Sequence, residues 1–134
     1  MEKLLKHKGS CHCGAVKWEV LAPAEVTALV CNCSICQKKQ NIHVIVPASR
    51  FKLLEGQDNL TTYTFNTHKA KHTFCKTCGV QSFYSPRSNP DGIGFMPHCI
   101  DGGDTLKINF RHVDGANWEQ AIANDASIAQ LSAQ

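Results

Sequence analysis

Eight cysteines in 134 residues, seven of them packed into short groups, constrain this chain more than any other feature. They stand at positions 11, 13, 31, 33, 36, 75, 78 and 99. Such a count points either to a disulfide framework or to metal sites. The opening stretch, Met1 to Ser10, is polar and basic around Leu4 and Leu5, so no secretory leader is expected. The expected setting is cytoplasmic, with the nucleus as the other reducing compartment, where thiols stay unpaired. Metal is therefore the expected partner of these cysteines.

Other function classes find little support. No apolar run approaches the ~20 residues that a membrane-spanning helix needs, so no membrane partner is expected. The closing residues QLSAQ match no lipidation or retention signal. The formal net charge is +3, and the only basic clusters, Lys38-Lys39 and His68 to His72, are short. They read as solvated surface, which argues against a nucleic-acid partner. No linker or low-complexity segment divides the chain, so residues 1–134 read as one zinc-binding domain with a modest core. Nothing in the sequence indicates an oligomeric state.

Alternation predicts a mainly β chain. Val16, Trp18 and Val20 share one side of a strand, with Lys17 and Glu19 on the other. Ile42 to Val46, Thr62 to Phe65, Lys71 to Phe74, Val80 to Ser85, Ile93 to Met96 and Thr105 to Phe110 are further strands. Turn residues at 54–59, 88–92 and 101–104 separate them. Helix is scarce: a turn from Ser34 to Gln40, and a C-terminal helix capped by Asn117 that carries Trp118, Ile122 and Ala126.

The cysteine groups differ in kind. Cys11-His-Cys13 needs a turn to aim two sulfurs at one ion, and Gly14 permits it. Cys75-Lys-Thr-Cys78-Gly79 is a knuckle whose spacer makes both thiolates converge. Cys31-Asn-Cys33-Ser-Ile-Cys36 places three ligands within six residues and leaves a fourth position unfilled by local sequence. The simplest division gives two Zn²⁺ per chain. Cys11, Cys13, Cys75 and Cys78 form a closed structural site, while Cys31, Cys33 and Cys36 form an open, catalytic one. Zinc is favoured, although iron also accepts four thiolates.

An alternative closes the second site with Cys99 or a histidine and makes the chain a non-catalytic interaction module. Cys99 reads more simply as a buried thiol. Histidines 12, 43, 68, 72, 98 and 112 show no His-x3-His spacing and read as surface or core. Redox sensing through Cys31 to Cys36 is disfavoured, because bound zinc masks thiolates. A divalent ion with three thiolates is formally negative and a weak Lewis acid, so it is poorly suited to generating hydroxide. It suits holding a further thiol as thiolate, and the chemistry expected is thiol addition or transfer.

With these residues in place, the chain resembles the glutathione-dependent formaldehyde-activating enzyme family, within it the branch containing centromere protein V. The matching stretches are Gly9-Ser-Cys-His-Cys-Gly-Ala-Val16, Cys31-Asn-Cys-Ser-Ile-Cys36 and Phe74-Cys-Lys-Thr-Cys-Gly-Val80. Pro97-His-Cys-Ile-Asp101 and Asn117-Trp-Glu-Gln-Ala121 are similar to the centromere protein V branch. The resemblance implies a β-tent, small sheets pinched by a structural zinc at Cys11, Cys13, Cys75 and Cys78. It implies a catalytic zinc at Cys31, Cys33 and Cys36, where the thiol of glutathione binds. The implied activity is that of a carbon–sulfur lyase joining formaldehyde and glutathione reversibly as S-hydroxymethylglutathione. The alternative under the same resemblance is a zinc-binding interaction module related to centromere protein V. Ser34, His43 and His98 are candidate acids, and Lys38, Lys39, Arg50, Arg87 and Arg111 are candidate partners for glutathione's carboxylates.

Overall fold

Along Lys17–Ala22, Trp18, Val20 and Ala22 alternate with Lys17, Glu19 and Leu21, and the first three are fully buried. A strand of this pattern must lie on a core with one face in water, and it sets the first layer of the fold. The computed structural model describes residues 3–65, 70–101, 106–114 and 131–132. In chain order the strands are β1 (Leu5–Ser10), β2 (Lys17–Ala22), β3 (Glu25–Cys31), β4 (Ile42–Pro47) and β5 (Phe51–Glu55). They continue as β6 (Leu60–Tyr63), β7 (His72–Cys75), β8 (Phe83–Tyr84), β9 (Gly92–Phe95) and β10 (Lys107–Val113). One short helix, α1 (Ser34–Lys39), separates β3 from β4.

Among the described residues the strands form three small sheets in the orders β1-β2-β5, β10-β3-β4-β9-β8 and β6-β7. All pairings are antiparallel except β3 with β10, where Cys31 stands opposite Val113. The core lies between the first two sheets. Trp18 meets Phe51 and Phe95 at centroid distances of 5.4 and 5.8 Å, and Phe51 meets Phe83 at 4.8 Å. The indole N–H donates to the Ser82 hydroxyl at 2.9 Å, so the largest core side chain carries no unsatisfied donor. From Val44 to Pro47, β4 is an unbroken apolar run because both its faces are covered. Val44 and Val46 join the main core, while Ile45 packs with Leu29 and Val113 on the other side.

The mainly β expectation holds, and most strands lie within a few residues of their predicted places. The stretch Val80 to Ser85 contributes only Phe83–Tyr84 as strand, because Val80 closes the Cys75 turn through Cys75 N–H to its carbonyl at 3.1 Å. β1, β3 and β5 were not predicted. β1 is mostly polar and turns only His7 and Gly9 inward, and β3 runs straight into the cysteine motif that marks its end. The turn expected from Ser34 is α1; it stops where Gln40 takes a left-handed φ of 53°. The helix expected from Asn117 lies outside the described residues.

Gly9 stands opposite Trp18 in the β1–β2 register. A Cβ there would sit 2.4 Å from the indole ring. Gly9→Ala should therefore displace the ring that anchors both layers. The expected loss is about 3 kcal/mol, the scale of core overpacking, read as a lower urea midpoint at unchanged slope.

Candidate metal centres

Two turns of similar construction carry the first cysteine cluster. Between β1 and β2, Cys11 N–H bonds the Val16 carbonyl at 3.1 Å, and Gly14 N–H bonds the Cys11 carbonyl at 3.2 Å. After β7, Cys75 N–H bonds the Val80 carbonyl at 3.1 Å, and Gly79 N–H bonds the Cys75 carbonyl at 2.8 Å. Both glycines need positive φ, 81° and 77°, to let the chain double back. The result brings the sulfurs of Cys11, Cys13, Cys75 and Cys78 within 4.8 Å of one another. Cys13 lies 3.7 Å from Cys11 and 3.6 Å from Cys75, sulfur to sulfur.

The donors around these sulfurs suit thiolates. Val16 N–H points at the Cys11 sulfur at 3.3 Å, and the Asn59 side-chain amide at Cys75 at 3.2 Å. The Cys78 and Thr77 backbone N–H groups hold the Cys75 thiol down to about 6. Four sulfurs so placed and polarised fit a tetrahedral soft or borderline cation. Such an ion would join chain segments 62 residues apart and pin the β1–β2 turn to the β7–β8 turn.

The second cluster is local. Cys31 ends β3, Cys33 caps α1, and Cys36 lies buried in its first turn. Their sulfurs also lie within 4.8 Å of one another. Hydrogen bonds from the Cys31 and Cys36 thiols hold Cys33 far below its usual range, while Cys31 and Cys36 are held above theirs. A divalent ion held by the three sulfurs would take the place of the protons they share.

Among the described residues no fourth cysteine, histidine or carboxylate joins this group. Cys99, considered above as a closing ligand, lies instead by the first cluster. Its thiol is pushed up to about 11, first by burial and then by the charges of Asp101, Cys11 and Cys78.

A buried polar network backs the three-cysteine cluster. Asn41 donates its amide to the Cys36 sulfur at 3.4 Å and accepts from Gln81 at 3.1 Å, while Lys39 donates to Gln81. The Asn41 carbonyl can only accept, so His43 must carry its proton on Nδ1 to make their 3.0 Å bond. Nε2 is then an acceptor, and the Tyr84 hydroxyl donates to it at 2.9 Å. Tyr84 is stacked in turn on His72, with centroids 5.1 Å apart. Burial pushes His43 down to about 4, so it is neutral at physiological pH.

Of the other candidates, Ser34, Lys38 and His98 are exposed, while Lys39, Arg50, Arg87 and Arg111 are half-buried. Sequence reasoning missed Asn41, Gln81 and Tyr84, while His72, read from sequence as surface or core, is buried. Gln81 alone left a trace, since it stands two residues after the second knuckle, which carries it to the network. A cleft of about 390 Å³ reaches Cys31 and Cys36, lined also by Asn32, Gln37, Asn41, His112 and Asp114.

The two clusters should respond differently to loss of a ligand. Cys78→Ala removes a crosslink between distant turns, whereas Cys33→Ala disturbs only a six-residue loop; loop-closure entropy makes the first far costlier. Metal analysis should show one equivalent lost in each variant. Thermal unfolding should drop by ten degrees or more, on the order of 2–3 kcal/mol, only in Cys78→Ala.

His43 supplies a pH signature. Its folded value, about 4, lies below its ordinary 6.5, so below that pH the unfolded chain binds the proton first. Stability should be fully present above pH 6.5 and lost as pH falls toward 4. A His43→Gln variant should show a shallower loss over that window in urea titrations.

Comparison with known proteins adds two findings. The model of the family described as glutathione-dependent formaldehyde-activating enzyme matches residues 6–113. A crystal structure of a protein from Rhodobacter sphaeroides is 36% identical, with 78% of this chain and 99% of that one covered and a TM-score of 0.65.

Proposed function

The chain belongs to the glutathione-dependent formaldehyde-activating enzyme family, and we propose on that premise that it is a carbon–sulfur lyase joining formaldehyde to glutathione. The observation that carries this reading is the three-thiol cluster with no fourth ligand among the described residues, open to a cleft. Zinc held by Cys31, Cys33 and Cys36 would supply an open coordination position at which a substrate thiol is stabilised as thiolate. A second zinc, held by Cys11, Cys13, Cys75 and Cys78, would serve the fold.

The reaction is an addition with no redox change. The substrate S–H bond breaks, a C–S bond forms at the aldehyde carbon, and the aldehyde oxygen gains the proton, giving S-hydroxymethylglutathione. The chain's own groups position this exchange. The Asn41 amide steadies the Cys36 sulfur, and the Gln81–Lys39 pair steadies Asn41. His43 is neutral and committed to Asn41 and Tyr84, so its role is to lock the tyrosine hydroxyl rather than to act as an acid on substrate. Cys31 and Cys33 are partly exposed, and water reaching them can return the proton to the adduct oxygen.

All eight cysteines are free thiols, which suits a reducing cytoplasmic setting. The deciding experiment is NMR exchange spectroscopy of glutathione with formaldehyde, with and without zinc-loaded protein. Acceleration that vanishes in a folded Cys33→Ala variant is the expected result. No acceleration at confirmed loading of two zincs per chain would reject this substrate pair.

A further inference from the structure

Lys39 ends α1 three residues after Cys36, on the same side of the helix, and is half-buried while its neighbour Lys38 is exposed. Its ammonium donates not to that sulfur but to the Gln81 side-chain oxygen. Gln81 Nε2 donates to Asn41 Oδ1 at 3.1 Å, and Asn41 Nδ2 donates to the Cys36 sulfur at 3.4 Å. Two amides thus stand in series between a cation and a candidate metal ligand.

The direction of this chain is not free. A side-chain amide can turn over and exchange oxygen for nitrogen with little change of shape, so its partners decide which way it faces. An ammonium has donors and no acceptor. Lys39 therefore draws the Gln81 oxygen to itself, Gln81 then offers Asn41 only an N–H, and Asn41 turns its own N–H to Cys36. Without the ammonium both amides can turn over together. Their mutual bond survives that reversal, but the Asn41 oxygen is left against the sulfur, a repulsive contact for a thiolate.

Two other side chains bond this chain and agree with its direction. His72 bonds Gln81, and an imidazole can follow the amide because either tautomer is open to it. Tyr84 bonds Asn41; its proton is committed to His43, so its oxygen receives an Asn41 N–H. Only Lys39 adds charge. A divalent ion with three thiolates is formally negative, and a fourth thiolate makes it more so. A cation relayed onto one ligand offsets part of that charge. The N–H draws electron density from the Cys36 sulfur and leaves a bound ion a better acceptor for a fourth thiolate. Burial works against the Lys39 charge and the Cys36 sulfur favours it, as a linked pair requires.

We propose that Lys39 is a positioning residue for the three-cysteine centre: by fixing the direction of the Gln81–Asn41 chain it keeps an N–H on the Cys36 sulfur and tunes the metal held there. The inference rests on the reading that Cys31, Cys33 and Cys36 hold a metal, and it stands whichever thiol adduct is the substrate.

The test uses ¹⁵N-labelled protein loaded with ¹¹³Cd, a spin-active substitute for zinc. Centres of three and of four sulfurs give separate cadmium resonances, so the four-cysteine signal serves as an internal control on the fold. Wild type should show coupling across the hydrogen bond between an Asn41 side-chain proton and the cadmium of the three-cysteine centre. Lys39→Met should lose that coupling, move only this cadmium resonance, and weaken cadmium here about tenfold in chelator competition, the scale of losing a ligand's outer partner. Lys39→Arg, which keeps a donor-only cation, should restore all three readouts. Gln81→Met, which leaves the charge but breaks the chain, should behave as Lys39→Met does, while Tyr84→Phe should keep the coupling. Coupling retained in Lys39→Met would overturn the directing role. Affinity lost in Lys39→Met but not in Gln81→Met would assign the effect to charge acting through space and overturn the chain. Uptake of a single cadmium by wild type would remove the centre and the proposal with it. Two cadmiums and the expected variant pattern, without formaldehyde exchange, would support the proposal and reject the lyase reading alone.

Discussion

Convergence of Cys11, Cys13, Cys75 and Cys78 is the constraint on which the rest of the architecture depends. The three sheets are small, and the aromatic cluster around Trp18 unites only two of them. The four sulfurs tie the turn that opens β2 to the turn that closes β7, segments far apart in sequence. Closing so long a loop removes much of the unfolded chain's freedom. A chain of this size with short strands gains most from that kind of crosslink. The local hydrogen bonding agrees with the role: each turn is closed by backbone bonds and a positive-φ glycine before any cation is considered.

The three-cysteine cluster depends on that frame while adding little to it. Its sulfurs come from one short loop, so it staples nothing distant. Its surroundings, however, are tertiary. Gln81 reaches Asn41 because the second knuckle delivers the chain to β8, and Asp114 reaches Asn32 because β10 runs parallel to β3. One turn pair therefore holds the fold and also carries in residues that back the other cluster. Structural and reactive thiols are separated by what surrounds them, not by the sulfur itself.

Buried polar groups back the open cluster, and Asn41 joins them to the cleft. His43, Tyr84 and His72 lie within the fold, and each hydrogen bond between His43 and its neighbours follows from one fact, that a backbone carbonyl cannot donate. Such groups are costly to bury unless satisfied: His43 and Tyr84 satisfy each other, while the buried Nδ1 of His72 has no hydrogen-bond partner among the described residues. The cleft side is different: amide side chains, a rim carboxylate and apolar patches from Val30, Ile42 and Val113. A rigid polar backing and an accessible amide-rich wall are what a site needs to hold a reactive thiol firmly while exchanging its substrate.

The sequence by itself determined the mainly β class, the strands whose faces alternate strongly, and the grouping of seven cysteines into two sets. These are local properties: side-chain period, glycine at positions needing positive φ, and a spacing that forces sulfurs to converge. It did not disclose β1, whose inward residues are a histidine and a glycine, because an inward glycine makes sense only beneath the Trp18 ring. Nor could it place Cys99, which lies by the first cluster rather than completing the second. Asn41, Gln81, Tyr84 and Asp114 became visible only in three dimensions. They carry no spacing signal, since they reach the cysteines through strand register and turn closure, and those are decided by how the sheets pack.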